Sequence, residues 1–147
     1  MSEGRPKQFV AVFDFGAQYG QLIARRVRDL HVYSEIVPCD ISADELAAMA
    51  PSAIILSGGP ASVYAEGAPD MDARVFELGI PILGFCYGEQ IMAVKLGGEV
   101  AHTDKGEYGP ATLTRLGSSV LLDGTPEGGQ TVWMSHRDSV SRAPEGF

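Results

Sequence analysis

The chain has 147 residues, enough for one domain with a buried core. Its hydrophobic share of 45% and charged share of 20% are ordinary for a soluble globular fold, and its uncharged apolar stretches, residues 80–87 among them, are too short to cross a bilayer. Nineteen acidic against eleven basic residues leave a formal net charge of −8, which argues against a nucleic-acid partner.

The first residues carry no apolar run of signal-peptide type and lead straight into a strand, so a loose tail is expected over residues 1–7. Residues 8–14 read as a short apolar strand, followed by the turn Phe15-Gly16-Ala17. A helix is expected over residues 18–30, with Leu22, Ile23, Arg26, Val27 and Leu30 at helical spacing. Arg25, Arg26 and Arg28 form the one basic run and are placed on its solvated face, while His31 sits at its exit, exposed or as a C-terminal cap. Residues 32–37 are a second strand closed by Pro38. Ser42 with Glu45 three residues later is a capping box that opens a short helix, and Pro51 ends it.

Ala53–Leu56 is a third buried strand and runs into Ser57-Gly58-Gly59-Pro60. Residues 71–78 are expected to be helical, residues 82–85 a fourth strand, and residues 88–96 a helix. From residue 99 the texture changes to shorter β segments around residues 112–116 and 131–134, with glycine-rich turns between them. Alternating four-residue apolar strands and helices imply an α/β fold, a mostly parallel, doubly wound sheet with helices on both faces. Ligands in such folds sit beyond the carboxyl ends of the strands. Three loops fall there: residues 15–18, residues 57–60 and the turn at Cys86. Cys39 and Cys86 match neither a disulfide framework nor a metal-ligand pair, and a reducing, cytoplasmic setting is expected.

The turn Gly84-Phe85-Cys86-Tyr87-Gly88 ends an apolar run with a cysteine flanked by glycine at two residues on either side. That is the pattern of a nucleophile elbow, where crowded backbone excludes Cβ atoms at the flanking positions. A cysteine there faces the start of the next helix, whose partial positive charge favours thiolate. The alternative is a buried structural cysteine at the end of a core strand. The N–H of Tyr87 is a natural donor to an oxyanion, and the Gly58-Gly59 segment is suited to supply a second. Taken alone, residues 57–60 read better as a plain strand-exit turn.

Together these stretches resemble a known family. Residues 84–90, Gly-Phe-Cys-Tyr-Gly-Glu-Gln, resemble the nucleophile motif of the class I (triad) glutamine amidotransferases, and residues 57–60 resemble their oxyanion loop. Asp14-Phe15-Gly16-Ala17-Gln18-Tyr19, residues 56–64 and Trp133-Met134-Ser135-His136 are similar to the N-terminal domain of that family's GMP synthetase (glutamine-hydrolysing) branch. The resemblance implies a flavodoxin-like fold in which Cys86 attacks the glutamine amide, with Gly59 and Tyr87 forming the oxyanion hole. It implies substrate contacts at Gly58, Gln90, Ser135, His136 and Asp138. No cofactor or metal is implied for this domain. ATP and Mg belong to a separate ATP-pyrophosphatase domain that aminates xanthosine monophosphate to GMP, and the full-length protein is expected to be a homodimer.

The chain departs from the family pattern at three places. It contains no His-x-Glu, the source of the other two triad members, so it is expected to be incomplete at the C-terminus, to lack the last strands and to be inactive alone. The loop usually read Ser-His-Gly-Asp is Ser135-His136-Arg137-Asp138, where arginine would resist a positive φ. Glu89 stands where an apolar residue is usual; it favours the helix start but, near Cys86, would oppose the thiolate. His31, His102 and His136 are not expected to serve as the base. Another class I amidotransferase subunit, or a non-catalytic module that binds glutamine, are the alternative readings.

Overall fold

The computed structural model describes residue 4 and residues 6–147, so the tail expected over residues 1–7 falls largely outside the described residues. The chain forms two compact units, Met1–Val100 with Val140–Phe147, and Ala101–Ser139.

The first unit is built on four parallel strands, β1 (Val10–Asp14), β2 (Ser34–Pro38), β3 (Ala53–Leu56) and β4 (Ile82–Gly84), in the order β2-β1-β3-β4. Val12 stands opposite Ile36 on one side and Ile55 on the other, and Ile55 opposite Leu83. A strand so placed is covered on both faces, which is why β1 reads as a continuous apolar run. Its Ala11, Val12 and Phe13 are fully buried. Helix α1 (Tyr19–Asp29) packs on β1 and β2, α2 (Ala43–Met49) against a 3-10 turn (Ala73–Glu77), and α3 (Tyr87–Lys95) on β3 and β4. For the strand order β2-β1-β3-β4, the right-handed rule for parallel crossovers assigns α1 to one face and α2 with the 3-10 turn to the other. The doubly wound α/β fold read from the sequence is the fold the chain adopts.

Details differ from the sequence reading. The buried face of α1 is centred on Gly20 and Ala24, while Leu22 and Leu30 are exposed. Small residues there let the helix approach the sheet closely. Arg25, Arg26 and Arg28 are solvated, and His31, exposed, ends the helix with φ 63°. The helix expected over residues 71–78 is only the 3-10 turn, because Gly79, at φ 69°, and Pro81 close it after little more than one turn.

The capping box at α2 is present. Ser42 Oγ accepts from the Glu45 N–H at 3.2 Å, and the Ser42 N–H donates to Glu45 Oε2 at 3.1 Å. A second carboxylate helps from across the chain: Asp72 accepts the Ala43 N–H at 2.9 Å and pairs with Arg74 at 2.8 Å. Hydrogen bonds from the Arg74 side chain, then from the Ala43 N–H, hold the Asp72 carboxyl down to about 2 from its ordinary 3.8. A carboxyl lowered in the folded state contributes stability that is complete above the unfolded value and fades as pH falls through the folded one. Acid titration followed by circular dichroism should therefore show Asp72→Ala less stable than the parent at neutral pH, with the two converging between 3.8 and about 2. A constant gap down to the lower limit would mean that the Asp72 charge does not stabilise the fold.

The second unit is the larger part of a β ribbon, whose residues 99–100 and 140–142 belong to the first unit. β5 (Glu99–Leu113) pairs with β6 (Gln130–Arg142) in a two-stranded sheet. The Ser141 hydroxyl donates to the Glu99 carbonyl and the Thr103 hydroxyl to that of Arg137, so the strands run antiparallel. The short segments expected around residues 112–116 and 131–134 are ends of much longer strands, and Leu116 lies beyond β5, fully exposed. Among the described residues no helix is long and apolar enough to cross a membrane.

Candidate active site

The carboxyl ends of β1, β3 and β4 bring the three loops singled out in the sequence together. The contact is backbone-close. A Cβ added to Gly59 would lie 2.6 Å from the Phe15 carbonyl oxygen, one on Gly20 would lie 3.7 Å from Ser57 Oγ, and one on Gly58 would lie 3.6 Å from Cys86 Cβ. The Phe15 and Tyr87 rings pack with centroids 5.2 Å apart and planes tilted by 49°, and the buried Ser57 hydroxyl donates to the Phe13 carbonyl at 2.5 Å. Glycine at position 59 is therefore required by the approach of the β3 loop to the β1 exit, whatever else its N–H does.

Cys86 sits on the elbow as expected, in a conformation that few side chains adopt. Its φ is 48° and ψ −113°, outside the ordinary regions for an L residue. Among the described residues only His31 and Ala50 share a positive φ without being glycine. The flanking glycines are forced by geometry: a Cβ on Gly84 would lie 2.8 Å from the Glu89 backbone nitrogen, and one on Gly88 would collide with the Leu56 carbonyl. Those close approaches are fastened by hydrogen bonds. The Phe85 N–H donates to Leu56 O at 2.9 Å, and the Gly88 N–H to Ser57 O at 3.1 Å. Strain held in place by such over-determined packing is characteristic of sites where the strained residue does something.

Tyr87 opens α3, so its N–H is one of the first-turn donors that have no acceptor within the helix. Its ring is buried and its hydroxyl donates to the Pro69 carbonyl. Gln90 is buried one turn on, with its N–H donating to Cys86 O at 3.0 Å. The Cys86 thiol meets the opposing carboxylate expected at Glu89. Although Cys86 is exposed, desolvation by the surrounding loops pushes its thiol above the ordinary value of 9.0, and the Glu89 carboxylate adds to the rise.

Ser135, His136 and Asp138 lie in the ribbon of the second unit, inside β6 rather than on a loop. Ser135 is exposed, His136 half-buried and Asp138 buried. Arg137 is a strand residue with no positive φ, so the strain expected of it does not arise. The ribbon also holds two pairs that sequence reasoning missed. His102 Nδ1 lies 2.6 Å from Asp138 Oδ1, and His136 Nε2 lies 3.0 Å from Glu107 Oε2 while its Nδ1 faces the Asp138 carbonyl at 2.8 Å. Asp138, an acceptor-only carboxylate, takes its hydrogen bond from the Nδ1–H of His102. Only the strand register reveals these pairs, and residues 102 and 138 carry no local signal of it.

Comparison with known proteins agrees with the geometry. The family model for glutamine amidotransferase class-I matches residues 11–147. A "GMP synthase [glutamine-hydrolyzing]" of Thermobifida fusca is 57% identical over 138 residues, covering 94% of this chain and 26% of that protein. The Streptomyces avermitilis protein of the same name is 59% identical over 140 residues with the same coverage. The chain thus spans about a quarter of the length of the curated relatives it matches. Among solved structures, a Thermoplasma acidophilum protein described as a candidate GMP synthase component is similar at TM-score 0.71 and 30% identity, over 94% of this chain and 69% of that one. A Methylobacillus flagellatus glutamine amidotransferase shares the fold at TM-score 0.67 and 18% identity, over 95% of this chain and 59% of that one.

Proposed function

The chain belongs to the class-I glutamine amidotransferase family, and on that premise we propose that its first unit hydrolyses the side-chain amide of glutamine through Cys86. The observation that carries the proposal is the positive φ of Cys86 on a strand-to-helix turn whose flanking glycines admit no Cβ. The Cys86 sulfur adds to the amide carbon, and the oxyanion takes N–H donors from Tyr87 and Gly59. Collapse expels ammonia, with a proton supplied to the leaving nitrogen, and leaves a γ-glutamyl thioester. Water then adds to the thioester and releases glutamate and the thiol. Gly58 contributes by leaving open the space beside Cys86, and Gln90 by its position one turn beyond it.

The relatives' printed name suggests the destination of the ammonia. We infer that a synthetase domain, using ATP and Mg, takes it to aminate xanthosine monophosphate to GMP, in a polypeptide that functions as a dimer. The proton relay is assigned to a His-x-Glu outside these 147 residues, which contain none, so turnover requires the longer polypeptide. The second reading is a module that binds glutamine without hydrolysing it.

The deciding experiment is labelling with 6-diazo-5-oxo-L-norleucine, a glutamine analogue whose electrophilic carbon traps the nucleophile. Peptide mass spectrometry of the full-length polypeptide should find the adduct on Cys86 alone, with Cys39 unmodified and labelling slowed by glutamine. Glutamine binding without any adduct would hand the assignment to the binding module.

A further inference from the structure

We propose that Tyr87 is, through its side chain, a positioning residue for the oxyanion site: tied at its hydroxyl to the Pro69 carbonyl and packed along its ring on Phe15, it sets the spacing between its own N–H and that of Gly59. The inference deepens the glutaminase reading and rests on it. The backbone of the elbow is fastened to the exit of β3, through the Phe85 N–H to Leu56 O and the Gly88 N–H to Ser57 O. Those bonds do not reach the exit of β1, where Phe15 lies. The Tyr87 ring does: its centroid is 5.2 Å from that of Phe15, and both residues are buried. Phe15 in turn abuts Gly59, where an added Cβ would lie 2.6 Å from the Phe15 carbonyl oxygen and 3.2 Å from the Phe15 Cβ. One side chain thus leads from the first residue of α3, by way of Phe15, to the second donor.

Packing alone would let the ring tilt and slide, whereas a hydrogen bond is directional. The phenol hydroxyl donates to the Pro69 carbonyl. That acceptor is firmly held. The Ala68 N–H donates to Ala65 O at 3.1 Å in the turn before it, and Met71, two residues on, is buried in the core. A phenol taken out of water is destabilising unless its hydroxyl is paired, and phenylalanine would fill the ring's space without that requirement. The hydroxyl is therefore accounted for by the tie it makes. With its proton on the Pro69 carbonyl, the phenol is a tether rather than an acid. The other end of the same residue is where position matters, since an oxyanion donor works only at about 2.7–3.1 Å from the oxygen it stabilises.

The test is steady-state ammonia release from glutamine by the full-length polypeptide, with rates expressed per Cys86 site titrated by diazo-oxo-norleucine so that unfolded protein is not counted. Tyr87→Phe keeps the ring and removes the tether. It should lower kcat and kcat/KM together by about tenfold while KM stays within about twofold, because the oxyanion forms only on the way to the transition state. A purely structural hydroxyl would lower the number of titratable sites and leave the rate per site unchanged. Lys95→Met is the control: it removes another tie between α3 and the same segment, the Lys95–Asp70 pair at 2.7 Å, but at the last turn of the helix. That variant should turn over at the parental rate. A Tyr87→Phe rate per site within about twofold of the parent, or an equal loss in Lys95→Met, would overturn the proposal. Unlabelled Cys86 in the wild-type protein would fell the glutaminase reading and this inference with it, whereas a labelled Cys86 with normal turnover in Tyr87→Phe would fell this inference alone.

Discussion

Gly88→Ala is expected to lose about 3 kcal/mol or more of stability and all Cys86 labelling by glutamine analogues. The added methyl would collide with the Leu56 carbonyl oxygen and lie 2.5 Å from its carbon and 2.6 Å from Leu56 Cβ. None of these atoms is the free end of a flexible chain. Leu56 is fully buried in β3, and its carbonyl already accepts the Phe85 N–H. The only relief is to lift α3 off β3, which breaks the Gly88 N–H bond to Ser57 O and moves the Tyr87 N–H with it. Urea denaturation and labelling should therefore fail together. Gly58→Ala is the control, because its methyl would meet Cys86 Cβ at an ordinary 3.6 Å. That variant should fold with near-parental stability while narrowing the space beside the sulfur. Equal stability of the two variants would mean that the elbow is looser than its packing indicates.

The contrast between those two glycines shows what the sequence can and cannot convey. A cysteine between glycines after an apolar run is legible, since few other local structures need that pattern, and the four parallel strands are legible as unbroken apolar runs. The Ser42–Glu45 cap is legible because both partners lie within one turn. The ribbon is not. Its strands carry Gly106, Gly109 and Pro110 in β5 and charged residues throughout, which dilute the alternation that marks a half-buried strand. The pairing of His102 with Asp138 depends on a register across 36 positions, beyond any local pattern. Cys86 ionisation is legible only in part: Glu89 is visible in the sequence, whereas desolvation of the thiol is a property of the assembled loops. Local rules find the elbow, and tertiary context sets its chemistry.

Cys86→Gly is expected to make the protein more stable and catalytically dead. A non-glycine residue at φ 48° and ψ −113° carries strain of about 1–3 kcal/mol, because its Cβ crowds the neighbouring backbone. Glycine removes the Cβ but gains freedom in the unfolded chain, which costs back about 0.5–1 kcal/mol. The net expectation is a gain of about 1 kcal/mol in urea denaturation. Cys86→Ala keeps the Cβ and thus the strain, so it should gain nothing comparable. Both variants lose the sulfur, and ammonia release from glutamine by the full-length polypeptide should fall by about ten-thousandfold or more. A stability gain confined to glycine would identify the strain as a cost the fold carries for the sake of the nucleophile. If glycine and alanine behave alike, the elbow relaxes in solution and the positive φ no longer supports a catalytic role; if either variant still releases ammonia at the parental rate, the thioester route through Cys86 is wrong.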